Sequence, residues 1–304
     1  MMNLMSNPIR KFQIGAVQVD LVVESSGPLL HPAEIFPDSD PHTIARQGDW
    51  LSSRLYDPAS DRLVICMQSF LLRSAGKIIV VDTCVGDCKQ RVRPEFDEAR
   101  WNWLDRLAQA GVAPEQVDIV LSTHLHVDHI GWNTHWADGR WVPTFPNARY
   151  LFVDKEYEYW SSEAGRSALQ RTGDYVEDSV RPIFEAGLAE IVGVGHQIDG
   201  SLRLLHAPGH TPGHVCIEIS SEGQNAIITG DLLHHPLQCR FPGWSTRFCF
   251  DANQSRKTRL AFMSEHAGRG TLLFPAHFPD PTAGYLRAVD DPDEPHYRYE
   301  FVQD

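Results

Sequence analysis

Thr123-His124-Leu125-His126-Val127-Asp128-His129-Ile130-Gly131 follows directly on the apolar run Val117-Asp118-Ile119-Val120-Leu121-Ser122. The run reads as a buried strand and the segment after it as the loop at its end. Such a loop can aim side chains at i, i+2, i+4 and i+5 toward one point. Imidazole and carboxylate are the donor set of borderline divalent ions such as zinc. The competing reading is a polar loop that is merely rich in histidine, and the rest of the chain decides between the two.

Three more segments present the same residue types. Ala207-Pro208-Gly209-His210-Thr211-Pro212-Gly213-His214 is a turn in which Pro and Gly fix the backbone, so His210 is held rather than left to fluctuate. His214 opens the next strand and is expected to hydrogen-bond behind the ligands or simply inside the fold; His206 reads as a satisfied core or rim histidine. Ile227-Ile228-Thr229-Gly230-Asp231 is a buried strand ending in a carboxylate, which must be paired, hydrogen-bonded or metal-bound. Leu272-Leu273-Phe274-Pro275-Ala276-His277 repeats the scheme. Strand ends and turns thus offer His124, His126, Asp128, His129, His210, Asp231 and His277, enough for two cations, and a carboxylate such as Asp231 can bridge them.

With Asp82 in Val80-Val81-Asp82-Thr83, these segments resemble the five sequence motifs of the metallo-β-lactamase superfamily of hydrolases, over residues of about 62 to 278. The resemblance implies an α+β fold: a four-layer αββα sandwich of two mixed β-sheets covered by outer helices, with the metal centre at one edge. It implies two divalent ions, Zn2+ foremost. His124, His126 and His210 would hold one, Asp128, His129 and His277 the other, with Asp231 between them. Asp82 would lie behind the ligands and orient a ligand histidine.

The coarse reading of the elements agrees with two strand clusters and helices between them. Strands are expected at Ile14–Val23, Leu63–Leu72, Lys77–Asp82, Ala148–Val153, Glu190–Val194, Leu202–His206, Val215–Ile219, Asn225–Thr229 and Thr271–Phe274. Helices are expected at Glu95–Ala110, Lys155–Trp160, Tyr175–Ala189 and Ala252–Ala267. The 304 residues read as a single domain, 1–304, with an N-terminal excursion at 27–61 that is a lid or an oligomer contact, and an acidic tail at 290–304 read as a solvated terminus.

A formal net charge of −13 without any local basic block repels polyanions, so nucleic acid is excluded as a partner. No apolar stretch is long enough to span a bilayer and the N-terminal residues lack an apolar core, which predicts a cytoplasmic protein without a membrane partner. Six scattered cysteines read for the most part as reduced, buried thiols.

The expected activity is metal-dependent hydrolysis of a small, mostly apolar ester-like substrate, a lactone, aryl ester or phosphotriester, by a hydroxide shared between the metals. Asp128 is the candidate to orient that hydroxide and take its proton. His234, or His235 beside it, is the candidate to stabilise the oxyanion or protonate the leaving group; lactonase-like relatives carry a Tyr in this neighbourhood. Trp132, Phe241, Trp244 and Phe248, with Phe250, are read as an aromatic wall around the substrate, the alternative for each ring being core or dimer packing. A homodimer is the expected assembly. The alternatives are a hydrolytic dehalogenase of aromatic substrates, a non-catalytic binding protein, and an iron-binding redox member of the same fold. The seven intact ligands argue against the second. The absence of the Glu and of the flavin domain typical of the flavodiiron branch argues against the third.

Overall fold

In the computed structural model, residues 8–169, 173–289 and 297–303 are described. Sixteen strands are found among them: β1 Arg10–Ile14, β2 Val17–Leu30, β3 Tyr56–Asp57, β4 Arg62–Ser74, β5 Lys77–Val81, β6 Ile119–Leu121, β7 Thr134–Ala137, β8 Arg140–Pro143, β9 Arg149–Val153, β10 Ala189–Val192, β11 Leu202–His206, β12 Val215–Ser221, β13 Gln224–Gly230, β14 Leu272–Pro275, β15 Gly284–Ala288 and β16 Tyr297–Phe301. One sheet runs β1-β2-β4-β5-β6-β9-β10 with β3 on β4, the second runs β11-β12-β13-β14-β15-β16, and β7-β8 is a separate hairpin. Both large sheets are mixed. β5, β6, β9 and β10 are parallel in the first, and β13 and β14 are parallel in the second.

Side-chain alternation builds the layers. Phe70 and Leu72, Ile79 and Val81, and Ile119 and Leu121 face Leu204, Ile217, Ile228 and Phe274 of the other sheet in one buried cluster. Their neighbours Leu71, Val80, Val120 and Tyr150 point outward and bury Trp103, Leu107, Trp160, Tyr175 and Ile183 from the helical segments outside. On the far side Cys216, Ile227 and Leu273 bury Met263 of helix Ala252–His266. The four layers αββα are as expected from the sequence.

Four details differ from the sequence reading. The first strand is a hairpin, β1 and β2, because Gly15 takes φ 56° in the turn; a Cβ there would lie 2.3 Å from the Ser221 carbonyl oxygen. Helix Glu95–Ala110 shortens to Trp103–Gln109. Asp87 takes the N–H groups of Trp101 (2.6 Å) and Asn102 (3.3 Å), and Asn102 itself is left-handed. Helix Tyr175–Ala189 breaks into Tyr175–Ser179 and Arg181–Glu185, since Pro182 cannot donate to a continuous helix. The expected acidic tail is in part strand β16: Tyr299 is buried and its hydroxyl donates to the Leu273 and Thr282 carbonyls. The rest of that tail, 290–296 and 304, lies outside the described residues.

The 27–61 excursion folds back on the molecule. Ile35, Phe36, Ile44, Leu51 and Leu55 pack on Leu63, Ile65, Met67, Val85 and Phe96 in a cluster of their own, next to the strand ends described below.

Candidate metal centre

The C-terminal ends of the parallel pairs β5/β6 and β13/β14 meet at one edge of the sandwich. The end of β5 carries Asp82, that of β6 the 123–131 loop, that of β13 Asp231 and that of β14 His277; the β11–β12 turn adds His210. All seven expected ligands converge. The donor atoms of His124, His126, His210 and Asp231 lie within 4.8 Å of one another, and so do those of Asp128, His129 and His277. Asp231 straddles the two groups. Its Oδ1 is 3.2 Å from His129 Nε2 and 3.0 Å from His277 Nε2, and its Oδ2 is 3.1 Å from His210 Nε2 and 3.7 Å from His124 Nε2.

The ring nitrogens facing away from the cluster are held. His124 Nδ1 meets Thr123 Oγ1 at 3.1 Å, His129 Nδ1 meets Asp82 at 2.8 Å, His277 Nδ1 donates to the Cys66 carbonyl at 2.8 Å, and His210 Nδ1 lies 3.7 Å from Cys249 Sγ. Such contacts fix the tautomer and leave the inner nitrogen as a lone pair. His126 is turned the other way, with Nδ1 2.8 Å from His210 Nε2, so it offers Nδ1 to the same point. Among the inner atoms, His124 Nε2, His129 Nε2 and Asp231 Oδ1 are buried without an aligned hydrogen-bond partner among the described residues. Each orphan costs about 1–3 kcal/mol if unmet. Imidazole nitrogens and a carboxylate gathered around two points fit a pair of borderline divalent cations.

Electrostatics support the same donor set. Burial, followed by the neighbouring imidazoles, holds His124 and His126 well below the ordinary imidazole range, so both offer lone pairs. Burial also opposes charge on His210, but Asp231 outweighs it and holds the ring at about 9; His129 is raised in the same way by Asp231 and Asp82. A cation next to Asp231 would displace those protons.

Behind the ligands, Asp82 accepts from the Thr123 N–H (2.7 Å) and hydroxyl (2.9 Å) as well as from His129. His214 donates through Nδ1 to the Ala207 carbonyl (3.1 Å) and accepts the Asp231 N–H at Nε2 (2.9 Å), which pins the backbone of Asp231. Two carboxylates escape the sequence reading. Glu156, in helix Asp154–Ser161, accepts from Leu125 N–H (3.1 Å), Gly213 N–H (2.7 Å) and Trp160 Nε1 (2.9 Å), tying the 123–131 loop to the His210 turn. Glu24 accepts from Val85 N–H (3.0 Å), Gly86 N–H (3.1 Å) and Trp132 Nε1 (2.8 Å). Their only advance signal is an acidic residue inside an apolar or helical run.

A cavity of about 800 Å³ opens on His126, Asp128, His210, Asp231, His234 and His277. Asp128 is half-buried there. His234 is buried, with Nε2 3.0 Å from Asp231 Oδ2 but neither ring nitrogen aligned in a hydrogen bond; its ring stacks on His277 at 5.6 Å. His235 is elsewhere: Nε2 donates to the Leu55 carbonyl and Nδ1 accepts the Leu237 N–H, so it is structural. The expected aromatic wall is only partly there. Phe248 and Phe250 line the cavity, but Trp132, Phe241 and Trp244 do not. Trp132 is buried against Trp103 at 5.9 Å, because Glu24 takes its indole N–H inward. Phe241 and Trp244 stack on each other at 4.4 Å against Phe36 of the excursion cluster. Other aromatic rings, Tyr159, Trp160, Tyr175 and Phe96, line it in their place, and Leu29, Leu30, Ile35, Ile65 and Met67 add an aliphatic wall.

A family sequence model described as the Metallo-beta-lactamase superfamily matches residues 68–294. Among curated proteins, an N-acyl homoserine lactonase of a Bacillus species is 28% identical over 122 residues, 40% of each chain. The N-acyl homoserine lactonase AttM of Rhizobium radiobacter is 26% identical over 62% of this chain and 68% of its own. The probable metallo-hydrolase YybB of Bacillus subtilis is 28% identical over 50% of this chain and 62% of its own. Matches to the Bacillus lactonases thus span about two fifths of their length. Among solved structures, the hydrolase AbOPH of the beta lactamase superfamily superposes with a TM-score of 0.81 at 22% identity, covering 98% of both chains. AidC, a dizinc quorum-quenching lactonase, does so at 0.77 with 19% identity and the same coverage. At these identities the structural likeness bears on the fold.

Proposed function

We propose, from the premise that this chain belongs to the metallo-beta-lactamase superfamily, that it is a dinuclear zinc hydrolase of small ester-like molecules, lactones foremost. The observation that carries the reading is Asp231, whose two oxygens each face a separate group of buried imidazole nitrogens. His124, His126 and His210 would hold one cation, Asp128, His129 and His277 the other, with Asp231 shared. Two divalent cations at these points would supply Lewis acidity and make a water at the site acidic enough to ionise near neutrality.

The chain's own residues supply the rest. Asp128, half-buried on the cavity wall with Oδ2 3.7 Å from His277 Nε2, orients the attacking water and accepts its proton at the carboxylate. His234 is held at about 4, chiefly by burial, so at neutral pH it is an uncharged imidazole. Nε2 lies beside Asp231, and the ring N–H can donate to the developing oxyanion or to the leaving oxygen. The apolar wall formed by Leu30, Ile35, Ile65 and Met67 excludes water and takes the apolar part of the substrate. Among ester-like substrates, the lactonase relatives favour the lactone.

An elemental metal count on the purified protein, paired with lactone, aryl ester and phosphotriester assays before and after chelation, tests this reading. Two zinc ions per chain and chelator-sensitive turnover are expected. A single bound ion, iron with its visible absorption, or bound zinc without turnover of any of the three classes would overturn it.

A further inference from the structure

The cavity that ends on the candidate metal ligands has an aromatic side, and the innermost ring of that side carries a hydroxyl that ester cleavage as described above leaves unused. Tyr175, Trp160, Tyr159 and Phe250 follow one another along it, with ring centroids 5.9, 5.0 and 5.0 Å apart, and Trp160 meets the candidate ligand His126 at 5.5 Å. Tyr175 opens the short helix Tyr175–Ser179, which is anchored from behind. Asp178 accepts from Arg91 Nη1 and Nη2 at 2.6 and 2.9 Å and from the Lys89 ammonium at 3.2 Å. Two cations on one carboxylate thus fix the segment that presents the Tyr175 ring.

Tyr175 is 1% exposed. Its hydroxyl has no hydrogen-bond partner among the described residues, yet the oxygen keeps accessible surface, on the cavity that the residue lines. A donor withdrawn from bulk water and left unmet costs about 1–3 kcal/mol. Burial, followed by the nearby carboxylates of Glu156 and Asp128, holds the phenol well above its ordinary range, so the group is a donor. Neither carboxylate accepts from it. Glu156 gives Oε1 to the Gly213 N–H (2.7 Å) and Oε2 to the Leu125 N–H (3.1 Å) and Trp160 Nε1 (2.9 Å). Asp128 turns toward His129 and His277, at 3.8 and 3.7 Å from their Nε2 atoms. The same two negative charges repel an anionic acceptor, which leaves a neutral oxygen as the partner of the hydroxyl.

The oxygens of the scissile ester already have partners in the hydrolase reading, the cations and His234. His234 sits on the Asp231 side, with Nε2 3.0 Å from Asp231 Oδ2, whereas Tyr175 sits with Trp160 and in the field of Asp128. The leaving alcohol therefore falls to His234 and the acyl part to Tyr175. Resting on that reading, we propose that the substrate carries a neutral oxygen acceptor, an ether or a carbonyl, in its acyl part beyond the scissile bond, and that the Tyr175 hydroxyl donates to it. Tyr175 thereby sets specificity: an all-hydrocarbon acyl chain leaves the donor buried and unmet, and its oxygen-bearing counterpart is preferred.

The test uses metal-loaded wild type and Tyr175→Phe with four 4-nitrophenyl esters: the hexanoate, and its analogues in which an ether oxygen replaces the methylene at carbon 3, 4 or 5 of the acyl chain. The variant removes one oxygen atom and keeps the ring on Trp160. Dividing wild-type by variant kcat/KM for each ester cancels the ester's own reactivity. For at least one ether ester this quotient should exceed that of the hexanoate by roughly three- to tenfold, the scale of one neutral hydrogen bond, with the change in KM rather than in kcat. The same quotient for all four esters overturns the proposal. Should none of the four be cleaved, the hydrolase reading fails instead, and calorimetry with the anilides of the same four acids still decides the acceptor site. Tighter binding of an ether anilide than of the hexananilide by wild type, lost in Tyr175→Phe, supports it; absence of any such difference overturns it.

Discussion

Asp82→Asn is nearly isosteric, so its effect can be worked out from donors and acceptors alone. Asp82 accepts three hydrogen bonds, from Thr123 N–H (2.7 Å), Thr123 Oγ1–H (2.9 Å) and His129 Nδ1–H (2.8 Å). An Asn amide offers one oxygen and one NH2 group. With its oxygen toward the Thr123 N–H, the NH2 faces His129 Nδ1, which can accept only if the ring proton moves to Nε2. That nitrogen is the one turned toward Asp231 and the second group of ligands. With the amide flipped, His129 keeps its tautomer but two donors meet at the buried Thr123 N–H. Either way one charge-assisted contact is lost or one donor orphaned, roughly 1.5–3 kcal/mol, or about 10- to 100-fold in cation affinity. Chelator titration followed by an elemental count should show the Asp128–His129–His277 site emptying first while the His124–His126–His210 site holds. Retention of both ions at wild-type chelator concentrations, in a protein of wild-type circular dichroism, would refute the tautomer argument.

His234→Gln should lower kcat by about 10²-fold, the scale of one oxyanion donor or general acid, while leaving metal content unchanged; stopped assays and an elemental count on the same sample decide it, and unchanged kcat removes His234 from the reaction. Glu24 tests the support of the site through pH. Burial, outweighing its three N–H donors, raises its carboxyl from 4.5 to about 8. The unfolded chain gives up this proton above about 4.5 and the folded protein keeps it to about 8. Stability should therefore fall as pH rises between those values, by up to ~1.4 kcal/mol per pH unit, and level off above. Thermal unfolding from pH 5 to 9 should show Glu24→Gln without this slope; parallel curves for the two proteins would contradict the assignment.

The strands that carry the candidate ligands are legible in the sequence because an apolar run and a metal-capable residue at its end are two signals in register, as at Leu121–His124 and Phe274–His277. Of the residues behind them, Asp82 and His214 are legible too, whereas Glu156 and Glu24 are not. Glu156 and Glu24 belong to a type usually found at the surface, and their burial follows from which backbone N–H groups happen to converge on them. Trp132 is misread for the same reason: its place after the histidine loop suggests a rim, and only the inward acceptor at Glu24 turns its indole into the core. The 297–301 strand does announce itself, as Tyr297-Arg298-Tyr299-Glu300-Phe301 with period two, but the acidic stretch before it dominates a reading by composition.

Asp231 shows why support of this kind must be long-range. Burial opposes its charge, yet His277, His129, His234 and His210 together hold its carboxyl well below the ordinary range. A carboxylate in that position is stable only if the rings around it cannot swing away. The local sequence Gly230-Asp231 cannot ensure this. Gly230, at φ 49°, lets the backbone turn where a Cβ would lie 2.7 Å from His214 Nε2. His214 then takes the Asp231 N–H, and Asp82, Cys66 and Glu156 fix the rings or loops opposite. Each contact joins segments at least 17 residues apart, so the ligands reach their places only when both sheets have closed on the shared core.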